Sequence, residues 1–134
     1  MKTHWILLGC AACLILPLTA DDTPLGKQME AMNDAYKAFR KGTDPAKGAA
    51  LAREAQQALA KAMGELPAML AKMPEGPEKA KAAAEYRKMI GQCYVTLCEV
   101  EEAFLAGKPG EVEKLVAALK DMKKSGHDKF MEEE

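Results

Sequence analysis

Residues 86–104 read YRKMIGQCYVTLCEVEEAF, and this stretch decides the fold class. Its apolar side chains recur at spacings of four, three, four, three and four residues: Tyr86, Ile90, Cys93, Leu97, Val100 and Phe104. Because an α-helix turns once in about 3.6 residues, this period places all six side chains on one helical face. Gly107 is typical of a residue that follows a helix end. The stretch therefore predicts a long amphipathic helix that begins near Glu78 and ends before Gly107.

Three further segments share this helical period. The first runs from Pro24 to about Lys41, ends at Gly42, and has the apolar residues Leu25, Met29, Met32, Tyr36 and Phe39. The second has Asp44 as N-cap and Pro45 at its first helical position, and Pro67 stops it. An irregular turn with Met69, Leu70 and Met73 is expected next, before the break at residues 74–77 (PEGP).

The last segment runs from Pro109 toward the carboxyl terminus. The breaks at residues 42–43 and 107–108 are short, and short connections make consecutive helices antiparallel neighbours. We therefore expect an all-α fold, an antiparallel up-down-up-down four-helix bundle that occupies residues 21–134.

Composition narrows the function classes. The chain has 134 residues, which favours one domain, and only 5% of them are aromatic, too few for a large sheet. With 19 basic and 20 acidic residues it has no basic field for nucleic acid. It also lacks a phosphate-binding Gly-rich loop, a nucleophile motif and a pair of histidines at ligand spacing, so we expect no enzyme.

The first twenty residues are typical of a secretory signal peptide. Lys2 precedes an apolar run from Ile6 to Leu18, and Ala20 offers a small residue at the expected cleavage site. The run of about 13 residues is too short to span a bilayer, which needs ~20. A lipid-modified Cys10 within residues 7–10 (LLGC) is the competing interpretation. Cleavage after Ala20 predicts a periplasmic protein with no membrane anchor.

Cleavage leaves two cysteines, Cys93 and Cys98. Five residues apart on one helix, they point about 140° apart and cannot form a disulfide with each other. Cys93 is expected to be buried and inert. We expect a monomer; any disulfide would join two chains through Cys98 and make a dimer.

The predicted topology brings Met29 and His127 to the same end of the bundle. Met29 lies about five residues into the first helix and His127 about four residues from the end of the last, so they are nearly level on adjacent helices. A thioether and an imidazole form a complete axial set for haem iron. The alternative to haem ligation is that Met29 only fills space in the core and that His127 is a solvated surface residue.

Five short segments, in this order, resemble the cytochrome b562 family: residues 29–34 (MEAMND), 72–78 (KMPEGPE), 85–87 (EYR), 107–108 (GK) and 127–130 (HDKF). The resemblance implies a periplasmic electron-transfer protein that carries one non-covalently bound haem b, with Met29 and His127 as axial ligands. It also implies that Tyr86 lies against the haem, and Met32 lines the same pocket or packs in the core. The sequence departs from the family pattern at Ile90, Lys123 and Gly126.

Two alternatives from other classes remain open. The chain after Ala20 has eight methionines, and with Cys93 and His127 they suggest an exported bundle that binds Cu(I). The other alternative is a structural or chaperone-like bundle with no cofactor. Under the haem interpretation, the expected partners are unidentified periplasmic redox proteins.

Overall fold

The computed structural model describes residues 23–131, and this part of the chain is helical with no strand. The helices are α1 (Pro24–Arg40), α2 (Pro45–Ala62), α3 (Ala68–Ala71), α4 (Pro77–Leu105) and α5 (Pro109–Phe130). The predicted all-α class is confirmed, and the irregular turn expected after the second helix is the short α3. The predicted signal peptide and the alternative lipid site at Cys10 lie outside the described residues.

The helix starts follow the local signals in the sequence. The Oγ1 atom of Thr23 accepts a hydrogen bond from the Gly26 amide at 2.9 Å, and Oδ1 of Asp44 accepts one from the Lys47 amide at 3.0 Å. Each side chain thereby satisfies an amide that has no partner within the helix. All four long helices begin at a proline, which lacks the amide hydrogen that a first turn leaves unpaired.

The end of α2 differs from the prediction. The sequence predicts that this helix continues to Pro67, but α2 ends at Ala62, five residues earlier. Proline disfavours the helical conformation of the residue before it, and Gly64 has a low helix propensity. These two residues end the helix early, and the chain turns before α3.

Contacts between α2 and α4 run in opposite sequence order. Gly48, near the start of α2, lies against Phe104, near the end of α4. At the other end, the Tyr86 hydroxyl donates a hydrogen bond to the Ala62 carbonyl at 3.3 Å. Between them, the Gln56 amide nitrogen donates to the Leu97 carbonyl at 3.2 Å. These two helices are therefore antiparallel.

The helices α4 and α5 are antiparallel by the same test. Tyr86 packs edge to face against Phe130, with ring centroids 5.6 Å apart. Nearer the middle of both helices, Sγ of Cys93 lies 3.7 Å from Sδ of Met122. The aromatic pair Phe39–Phe104, also 5.6 Å between centroids, brings the ends of α1 and α4 together. The starts of α1 and α4 and the ends of α2 and α5 consequently lie at the opposite end of the molecule.

The core is continuous, but it thins where α1 starts. The side chains of Tyr36 and Phe39 are buried, whereas Leu25, Met29 and Met32 on the same face are only partly buried. The six residues of the α4 pattern are all buried. Helix α1 makes much less contact with α5 than with α2. The edge between α1 and α5 is therefore the least closed part of the bundle.

Candidate functional site

A hydrogen bond between α1 and α5 sets the geometry of the candidate site. The Lys123 ammonium donates to Oδ1 of Asn33 at 2.7 Å. Met29 is four residues before Asn33, and His127 is four residues after Lys123. Because α1 runs antiparallel to α5, one helical turn from this bond in each helix leads toward the same end of the molecule. Met29 and His127 therefore lie at one level on neighbouring helices.

Both candidate ligands are accessible. Met29 is partly buried and packs against the core, while His127 is exposed. Partial desolvation, followed in importance by the positive charge of Lys123, lowers the pKa of His127 below its usual 6.5. Asp128 acts in the opposite direction. The neutral imidazole, which has a free lone pair for a metal, is therefore favoured at neutral pH.

Tyr86 and Met32 occupy different environments. Tyr86 is 2% exposed, and its ring packs against Phe130 while its hydroxyl bonds to Ala62. Burial raises the pKa of Tyr86 to about 12, with a smaller contribution from Glu65. Met32 is partly buried beside the core on the same helical face as Met29. The structure thus brings Tyr86 into an apolar wall at this end and leaves Met32 near the α1–α5 edge.

Gly126 allows α4 to approach α5 beside the histidine. A Cβ atom at Gly126 would lie 2.9 Å from both Sδ and Cε of Met89. Gly126 is buried, and Met89 is partly buried against the core. The space that a side chain at Gly126 would occupy is therefore filled by the end of Met89.

The donors at the α1–α5 edge suit haem better than a fully protein-ligated metal ion. Within residues 23–131 no three His, Cys, Asp or Glu side chains are grouped to hold a metal ion. Structural zinc and calcium sites need four or more protein donors, whereas haem iron takes four donors from the porphyrin and two from the protein. One thioether and one imidazole at one level, beside apolar side chains and a thin part of the core, fit that requirement.

Sequence reasoning missed two features of this edge. The sequence assigns no role at this edge to Asn33 or to Met89. Asn33 bonds to Lys123, and Met89 packs at Gly126. The spacing of four residues from Met29 to Asn33 and from Lys123 to His127 is a signal for the first contact, since residues four apart share a helical face. No sequence signal pairs Met89 with Gly126.

None of the helices within residues 23–131 combines the length and apolar character needed to cross a membrane. A comparison with protein families matches residues 24–131 to the model described as Cytochrome b562. A comparison with curated proteins gave no match.

Proposed function

Because the chain belongs to the cytochrome b562 family, a family of b-type haem-binding electron carriers, we propose that it is a periplasmic electron carrier with one non-covalently bound haem b. In this proposal Met29 and His127 are the axial ligands, and Met32 and Tyr86 line the pocket of an up-down-up-down bundle. The observation that supports the proposal is the Asn33–Lys123 hydrogen bond, which lies one helical turn from Met29 in α1 and one turn from His127 in α5. The signal peptide, residues 1–20, accounts for export.

When bound, haem supplies an iron that alternates between the ferric and ferrous states, and a thioether with an imidazole raises its reduction potential. His127, through its neutral imidazole, and Met29, through its sulfur, would hold the iron from facing helices. Tyr86 and Phe130 form an apolar wall that limits water at this end. With two protein side chains holding the iron, the site would leave no position for a substrate, which favours electron transfer over an enzymatic reaction.

The proposal is tested by reconstituting the mature chain with haem and recording its absorption spectrum. We expect a six-coordinate low-spin spectrum at one haem per chain, and acid–acetone extraction should separate the haem from the polypeptide. Carbon monoxide should leave the spectrum of the reduced protein essentially unchanged at neutral pH. The absence of a Soret band after reconstitution would contradict haem binding. Haem that stays with the polypeptide would contradict non-covalent attachment.

Ligand variants test the assignment. His127→Ala and Met29→Ala should each remove the low-spin spectrum, since each removes one axial bond, and circular dichroism should show that the helices remain. Met131→Ala is the matched control, because Met131 is 52% exposed at the same end of the molecule. If both ligand variants keep the wild-type spectrum, the assigned ligands are wrong. Stoichiometric Cu(I) binding that depends on Met29 and excludes haem would support the copper alternative.

A further inference from the structure

The outer face of α4, opposite the core, carries small and apolar residues together with two charged ones, and we call it the α4 seam. Residues on this face recur at spacings of four, three, four, three, four and three: Ala84, Lys88, Gly91, Val95, Cys98, Glu102 and Leu105. Val95 is 56% exposed and Leu105 is 67% exposed, the largest exposures among big apolar side chains of residues 23–131. Two of the seven positions, Lys88 and Glu102, are charged, so the seam is not the wholly apolar heptad pattern of a coiled coil; the other five are small or apolar.

Gly91 lies at the middle of this seam, and no contact within the chain requires a glycine there. A glycine in a helix interior is less favourable than alanine, because the backbone loses more freedom on folding. Other glycines have a structural role, such as Gly48, where a Cβ would overlap Phe104. A Cβ at Gly91 would meet no atom within 4 Å. The missing side chain therefore leaves a depression on the outer surface of α4.

Charges on this face are divided between its two halves. Arg87 and Lys88 are exposed on the amino-terminal half, and Glu102 is exposed on the carboxyl-terminal half. Within residues 23–131, the side chains of Arg87 and Glu102 form neither a hydrogen bond nor an ion pair. Glu101, beside this face, is already held by Arg53 at 3.2 Å and by Gln56 at 2.8 Å.

We propose that the outer face of α4 binds the same face of a second copy of this chain, antiparallel, about a twofold axis between Tyr94 and Val95. In this register each Leu105 lies on Ala84 of the second copy, and each Cys98 lies on Gly91. Each Arg87 faces Glu102 of the second copy. Large side chains thus meet small ones and opposite charges meet each other twice, as a twofold interface requires.

The register makes a prediction about the thiols. The two copies of Cys98 are seven residues apart along the paired helices, which is about 10 Å at 1.5 Å per residue. A disulfide needs Cα atoms within roughly 7 Å. The dimer is therefore non-covalent, and the Cys98-linked dimer expected from the sequence requires a different register. The interface is also independent of the proposed haem site, which lies at the α1–α5 edge.

The first test is sedimentation equilibrium of the mature chain with a reductant, from 10 μM to 1 mM in low salt. We expect a concentration-dependent dimer, and Gly91→Leu should weaken it at least tenfold because the new side chain occupies the place of Cys98 of the second copy. Gly110→Leu is the matched control, since a Cβ at Gly110 also meets nothing within 4 Å. A monomer throughout this range, or an unchanged dimer for Gly91→Leu, overturns the proposal.

Charge exchange tests the register. Arg87→Glu alone and Glu102→Arg alone should each weaken self-association, because like charges then face each other twice. Mixing these two variants should restore a dimer, since every facing pair is again of opposite charge. Failure of the mixture to associate while each variant stays folded by circular dichroism would refute the antiparallel pairing.

Cross-linking gives an independent measurement of the same register. Oxidation with glutathione disulfide joins two protein thiols and releases two molecules of reduced glutathione. Gly91→Cys should become covalently dimeric, because its new thiol faces Cys98 of the second copy, whereas Gln92→Cys, displaced about 100° around the helix, should not. A wild-type dimer linked through Cys98 at the same rate as Gly91→Cys would overturn the register.

Discussion

Replacing Gly48 by alanine tests how tightly α2 packs on α4. A Cβ there would lie 2.5 Å from Cδ1 and Cε1 of Phe104 and 2.6 Å from Cζ. Carbon atoms in contact are ordinarily about 3.5–4.0 Å apart, so the methyl group overlaps three ring atoms by roughly 1 Å. The ring has little room to withdraw, because it is 7% exposed and packs against Phe39.

Two opposing effects set the magnitude. Overpacking a core by a methyl group costs about 1–3 kcal/mol, while replacing glycine by alanine inside a helix gains about 0.5–1 kcal/mol. Because three ring atoms are overlapped, the upper half of the overpacking range applies, and we expect Gly48→Ala to lower the free energy of unfolding by about 1–2.5 kcal/mol and Tm by about 4–10 °C. Gly91→Ala is the control: with no atom near its Cβ, it should raise the free energy of unfolding by about 0.5–1 kcal/mol.

The measurement is urea denaturation of haem-free protein at micromolar concentration, followed by circular dichroism. A Gly48→Ala protein as stable as the wild type would show that Phe104 moves aside and would refute the packing argument. After reconstitution, Gly48→Ala should keep the wild-type haem spectrum, since Gly48 lies at the end of the bundle remote from Met29 and His127.

Three further predictions address the site and the titratable groups. Lys123→Met should weaken haem binding about three- to tenfold in a haem titration, because it removes the hydrogen bond to Asn33. Lys124→Met is the control and should leave haem binding unchanged, since Lys124 is exposed and pairs with Asp128 instead. Burial raises the pKa of Tyr86 to about 12, so the folded state favours the neutral phenol. The stability that the neutral phenol contributes is present below pH 10 and is lost as the pH rises from 10 to 12. Absorbance at 295 nm, where the ionised phenol absorbs, should show this late ionisation during alkaline titration when wild type is compared with Tyr86→Phe. A rise assigned to Tyr86 near pH 10 in folded protein would contradict it. Burial raises the pKa of Cys93, and desolvation together with the charges of Glu101, Glu102 and Glu99 raises the pKa of Cys98. A disulfide reagent at pH 8 should therefore modify half-buried Cys98 slowly and buried Cys93 more slowly still. The Cys98→Ser variant should react only in the slower phase.

The sequence alone determined the helices, because their signals are local. The apolar period from Tyr86 to Phe104 predicts α4, and all six of its apolar residues are buried. The cap at Asp44 forms as predicted, since a side chain three residues from an amide needs no tertiary contact to reach it. Short connections fix which helix ends meet, so the sequence also predicts Met29 and His127 at one end of the bundle.

Tertiary structure decided which surfaces meet and how closely. Asn33 and Lys123 are 90 residues apart, and Met89 fills the space at Gly126 from another helix. Helix periodicity says which face is apolar, but it does not say which side chain of one helix fills a gap in another, because that depends on the height and rotation of two helices together. The same physics separates the glycines: Gly48 and Gly91 are identical as residues in a helix, but the packing of α2 on α4 leaves no room for a Cβ at Gly48, whereas a Cβ at Gly91 meets no atom within 4 Å.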